Sequence, residues 1–139
     1  LKLYSFNKIL KFKRDRNYLL FNVNRDSKIF IDLSRIYWQE KLKEPGILDY
    51  LEKQFHYPTI VLFGSLAKGE ARVNSDVDLV IISDFNKKID LSKFEKMIKR
   101  NIQVFVFKSL KNINDVGLLE NILNGFIIRG RLELKNGLG

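Results

Sequence analysis

The sequence predicts an α+β fold, a small sheet with helices over one face, preceded by a β-hairpin. Three observations carry that prediction. Thr59–Phe63 and Val77–Ser83 are short, β-branched runs that are apolar on both faces, as buried strands are. Apolar residues at helical spacing lie between and around them. Residues 7–24 instead alternate apolar with polar about a charged turn.

Along the chain, Leu10 and Phe12 alternate with Lys11 and Lys13, Arg14-Asp15-Arg16-Asn17 makes the turn, and Leu19, Phe21 and Val23 share one face. A two-stranded ribbon is marginal alone, so it is expected to pack on something. Ser27 to about Lys43 reads as a helix through Ile29, Phe30, Leu33, Ile36, Tyr37 and Leu42, with Asp26 or Ser27 as its cap. Pro45 is expected to open a second helix with Ile47, Leu48, Leu51 and Phe55 on its apolar face. After the two buried strands, Asp90 can cap a helix bearing Leu91, Phe94, Met97 and Ile98, and Ile102–Phe107 reads as a third strand. Asp115 can cap a last helix with Leu118, Leu119, Ile122 and Leu123, ended by Gly125. The stretch Phe126–Leu134 shows no clear pattern. Residues 1–26 are read as a basic hairpin appendage and 27–139 as one domain.

Composition narrows the chemistry. The 139 residues are 45% hydrophobic and 29% charged, the balance of a globular chain. No apolar run approaches the roughly 20 residues that span a bilayer, so no membrane partner is expected. The lysine-rich start lacks the apolar stretch of a secretion signal, and Leu1 in place of Met is what a processed or truncated product would show. The absence of cysteine excludes disulfides, thiolate zinc sites and cysteine nucleophiles, and it fits a reducing compartment such as the cytoplasm. His56 is the only histidine, so a two-histidine metal motif is impossible. It reads as a structural or surface residue, Tyr37 and Trp38 as helix packing, and Phe63 and Phe105 as core. The net charge is +9, and residues 1–28 hold eight Lys/Arg against Asp15 and Asp26. A basic end invites a polyanion, and Lys11, Lys13, Arg14 and Arg16 could touch a nucleic-acid backbone.

The informative stretch is Val61 to Ser83. Gly64-Ser65 follows one buried strand directly; ten residues later Asp76-Val77-Asp78 opens the next. Residues two apart in a strand point to one face, about 6.6 Å apart. Two carboxylates that close repel each other unless a cation lies between them. Oxygen ligands with open positions suit Mg²⁺, which takes one or two carboxylates plus substrate phosphates. Gly64 lets backbone approach a ligand closely, and Ser65 offers a hydroxyl and an N–H where a helix could begin. Lys68 and Arg72 lie in the same loop and could meet a triphosphate.

These residues resemble the nucleotidyltransferase superfamily that includes DNA polymerase beta, and most closely its minimal branch. Leu62-Phe63-Gly64-Ser65, Ala67-Lys68-Gly69 and Ser75-Asp76-Val77-Asp78-Leu79 carry the likeness, about a sixth of the chain. The resemblance implies a small mixed sheet of the polymerase-beta type. It implies Mg²⁺-dependent transfer of a nucleoside monophosphate from an NTP, ATP foremost, to a hydroxyl acceptor. Asp76 and Asp78 would be catalytic and hold the metals, while Gly64, Ser65 and Lys68 would bind the nucleotide phosphates. More loosely, the hairpin followed by a helix is similar to the wing of archaeal-type members with an N-terminal winged helix, here without the preceding helices. The family's third carboxylate falls at Gln103, which offers a neutral oxygen and cannot take a proton. Glu70 is a conceivable substitute; Asp84 lies too far along the strand. A weakly active site is therefore expected. The alternative is a catalytically degenerate module that binds nucleic acid, or a protein partner such as a toxin as antitoxin members do.

Overall fold

The computed structural model describes residues 9–134. Lys2 and Lys8 of the basic end, and the hairpin reading at residues 7 and 8, lie outside the described residues. The hairpin is formed by β1 (Leu10–Asp15) and β2 (Tyr18–Val23), paired antiparallel from Leu10↔Val23 to Asp15↔Tyr18. Its turn is Arg16-Asn17, with Arg16 left-handed at φ 52°. Leu10 is half-buried, whereas Tyr18, Leu19, Leu20 and Val23 are exposed. Lys11 reaches Asp26 at 3.0 Å beside the ribbon's base.

Helix α1 (Lys28–Lys43) turns its Trp38 and Leu42 inward and leaves Ile29, Leu33, Ile36 and Tyr37 exposed. Helix α2 (Ile47–Phe55) buries Ile47, Leu48, Leu51 and Phe55 completely, the apolar face its spacing predicts. It begins two residues after Pro45 because Gly46 adopts the left-handed conformation (φ 87°) and breaks the path from α1.

Strand β3 (Thr59–Phe63) runs straight into a single helical turn, α3 (Gly64–Ala67). Strand β4 (Val77–Ile82), helix α4 (Ser92–Ile98) and strand β5 (Ile102–Phe107) follow. A 3-10 turn (Leu110–Asn112) and helix α5 (Val116–Leu123) lead to β6 (Phe126–Arg129). The sheet order is β5-β4-β3-β6; β4 and β5 are parallel, whereas β3 is antiparallel to both its neighbours, so the sheet is mixed.

The alternating faces of this sheet build two apolar clusters. Ile60, Leu62, Val77, Leu79, Ile81 and Ile102 pack beneath α1, α2 and α4 in the larger one. Val61, Phe63 and Val80 face the other way, onto Leu110, Ile113 and Ile122. That second cluster covers only part of its face. The uncovered part is where β4 begins, and the sequence places carboxylates there.

Candidate functional site

Period-2 alternation decides which side chains meet at the open end of this face. In register, Asp78 lies opposite Phe63 on β3 and beside Gln103 on β5. Asp76 sits just before β4 and points the same way, since the Gln103 amide donates Nε2–H to its Oδ2 at 2.8 Å. Asn101 donates Nδ2–H to the other oxygen, Oδ1, at 3.3 Å. Only the amino end of each amide can face an ionised carboxylate, which fixes both orientations. Asp76, Asp78 and Gln103, singled out from the sequence, thus stand together.

The opposite flank of Asp78 is the strand-to-turn junction. Gly64 has φ +72°, and a Cβ there would overlap Asp78 Oδ2. The site therefore needs glycine twice, for its backbone conformation and for the room the carboxylate takes. Ser65 follows in α3, half-buried, and its carbonyl accepts from Glu70 N at 2.9 Å, closing the turn. Lys68 is exposed, with Nζ donating to Asn121 Oδ1 of α5 at 2.9 Å. Arg72 and Ser75 close a second small turn: Arg72 N donates to Ser75 Oγ at 2.8 Å, and Ser75 N to Arg72 O at 3.1 Å. Arg100 fastens that turn, its guanidinium donating to Arg72 O at 2.9 Å and Ser75 O at 2.7 Å while stacking over Trp38.

Electrostatically, Asp78 carries the stress of the site. Burial, and then the neighbouring Asp76, raise its pKa above the ordinary carboxylate value. The two amide donors relieve Asp76 but bring no full positive charge. Among the described residues no group of three or more His, Cys, Asp or Glu comes together, so Gln103 has no acidic substitute, and Glu70 is an exposed loop residue. A divalent cation fits this donor set. Two oxygen-bearing carboxylates at an uncovered end need positive charge between them, and substrate phosphates would supply the remaining oxygens. A third anionic ligand is missing on the β5 side.

Asn101 and Asn121 are contacts the sequence reading did not name. Asn101 lies three residues past the end of α4 and two before Gln103, which was singled out, so proximity was a usable signal. Nothing in the sequence pairs Lys68 with Asn121, 53 residues away. Asp84 lies beyond the far end of β4, beside His56 and Phe85, and takes no part. Phe105 is only partly core: its ring meets Phe63 at 5.9 Å while it remains 36% exposed next to the carboxylates' face.

A nucleotidyltransferase-domain model matches residues 44–128, more than half of the chain. The chain belongs to the nucleotidyltransferase domain family. No curated protein and no solved structure matches it. Membership brings the general chemistry of this fold: transfer of a nucleoside monophosphate from an NTP, generally with a divalent metal. The match spans β3, the Gly64-Ser65 turn, Asp76-Val77-Asp78 and β5, and ends within β6. The helix α1 and the hairpin precede it. No helix among the described residues is long and apolar enough to cross a membrane.

Proposed function

We propose that this nucleotidyltransferase binds Mg·ATP at Asp76 and Asp78 and transfers the nucleoside monophosphate slowly. The observation that supports this most is the asymmetry around Asp78: glycine-serine turn on one side, amide on the other. When bound, the metal would neutralise the α-phosphate and orient it for displacement. Gly64 leaves the space in which phosphate and Asp78 approach each other. Ser65 and Lys68 bind the β- and γ-phosphates, which requires Lys68 to leave Asn121. An acceptor hydroxyl attacks the α-phosphorus, the bond to the bridging oxygen breaks, and pyrophosphate leaves. The acceptor's proton must go to solvent, because the Gln103 amide cannot take it. A positioned base contributes about 100-fold or more, which is the deficit Gln103 imposes.

The Gln103–Asp76 hydrogen bond favours a second reading, in which the pocket binds nucleotide without turning it over. The basic hairpin would then serve a nucleic acid, or the exposed α1 a protein partner such as a toxin. One experiment separates the two readings. Calorimetry with Mg·ATP measures binding, and α-labelled ATP with RNA and protein acceptors measures transfer, for the wild type and Gln103→Asp. Binding together with transfer that rises in Gln103→Asp supports the enzyme. Binding without transfer in either protein supports the module. No metal-dependent binding overturns both.

A further inference from the structure

The hairpin and α1 lie outside the segment that matches the family, yet two of their arginines end on the nucleotide loop. Arg25, between β2 and α1, donates Nη1–H to Gly69 O and to Ala71 O, both at 3.1 Å. Arg35, in the middle of α1, donates Nε–H to Ala67 O at 2.8 Å and Nη2–H to Asn124 O at 3.4 Å. Its guanidinium also lies 5.9 Å from the Phe126 ring centre. Ala67 ends α3, so its carbonyl has no partner further along that helix. Between the two arginines, α1 meets the loop by packing. Gly69 is left-handed (φ +69°), and a Cβ there would come within 3.2 Å of Phe30 and Ile31.

We infer that Arg25 and Arg35 are positioning residues of the nucleotide site, and that the N-terminal segment braces the backbone from Ala67 to Ala71, the part of the loop that Arg100 of the matched segment does not reach. Arginine suits this task. Its planar fork offers several fixed donors, and it stays charged at every accessible pH. One arginine reaches two loop carbonyls, and the other ties the α3 end to the α5 end across the site. Arg100 secures the same loop nearer Asp76 from within the matched segment. The loop from Gly64 to Ser75 is therefore held at Ala67, Gly69, Ala71, Arg72 and Ser75, with Ser65 and Lys68 presented from its first turn. The positioning role for nucleotide rests on the proposed function; the brace itself does not.

Amide hydrogen exchange on the full chain without nucleotide tests the brace. Lys68 N, Glu70 N and Ser75 N are bonded within the loop, to Gly64 O, Ser65 O and Arg72 O. In Arg35→Ala and Arg25→Ala, exchange at Lys68 and Glu70 should quicken about tenfold, with β3 and β4 amides unchanged. Mg·ATP affinity should fall about fivefold in the same variants, and Arg35→Lys, which keeps one charged donor, should recover part of both effects. Unchanged exchange at these amides overturns the inference, as does equal acceleration across β3 and β4, which would mark a merely structural role. Arg25 is exposed, so its variant remains informative should Arg35→Ala fail to fold. A wild type with selective loop protection but no Mg·ATP binding supports the brace and sinks the functional reading alone.

Discussion

The two flanks of Asp78 differ in kind. On the β3 side the chain keeps the groups that would hold a nucleotide: a glycine whose Cβ would strike the carboxylate, a serine, and an exposed lysine on a closed loop. On the β5 side stand two amides, Gln103 and Asn101, both donating to Asp76. The first flank is suited to binding phosphates. The second holds a carboxylate still without providing a base or an anionic metal ligand. Binding and proton removal are thus separable demands on one strand, met by different neighbours.

The largest effect should come from the strand they share. Asp78→Asn or Asp76→Asn is expected to weaken Mg·ATP binding by about 100-fold or more, since even a ligand's supporting partner is worth 10–100-fold. Calorimetry reads this directly, and unchanged metal-dependent binding would refute the assignment. Asp78→Asn should also raise the melting temperature without ligand at neutral pH by a few degrees, because it removes a half-buried charge beside Asp76. Loss of binding through unfolding would instead lower it.

Next comes Gln103→Asp, expected to speed transfer about 100-fold if the β3 flank is sound. The added charge should make the metal-free protein less stable, which scanning calorimetry with and without Mg²⁺ would show. Gly64→Ala breaks the binding flank instead. Its left-handed backbone and the overlap with Asp78 should cost about 2 kcal/mol of stability, read by denaturant titration, with Mg·ATP binding lost.

A smaller effect follows from the titration of Asp78. Its folded-state pKa is raised, so its contribution to stability is complete below the ordinary carboxylate pKa and disappears as pH climbs through the raised value. Binding runs the other way, because the proton competes with the cation. Mg·ATP affinity should decline as pH is lowered toward that raised value, and a flat profile would contradict Asp78 as a ligand. Least of all, Lys68→Ala should weaken binding about fivefold, since exposed charges act through solvent. Asn121→Ala, by freeing Lys68, should leave binding equal or slightly tighter.

Much of the fold was legible because local rules and tertiary packing agree. Ile102–Phe107 forms β5 as read, and Asp115 caps α5 by accepting from Leu118 N at 3.0 Å. Asp90 was expected to cap α4, but the helix N-cap is Leu91, which makes no side-chain cap bond; Asp90, one residue earlier, accepts from Ser92 N and Oγ, and these bonds lower its pKa. The strand β6 was missed because four residues after Gly125 are too few to show alternation, and its pairing to β3 is interrupted between Ile60 and Val61. In the site, Gly64, Ser65, Asp76 and Asp78 could be found because they are close in sequence. The contacts of Arg25 and Arg35 could not. Among so many cations they look like polyanion-facing charge, and only the folded chain brings backbone carbonyls to them.

Arg100 has one more consequence. By gripping Arg72 and Ser75 while stacked on Trp38, it immobilises the stretch leading into Asp76 as the chain folds. The conformational entropy of that stretch has then already been lost when a ligand arrives. Association should accordingly proceed without a slow ordering phase, and with a heat-capacity change too small for coupled folding.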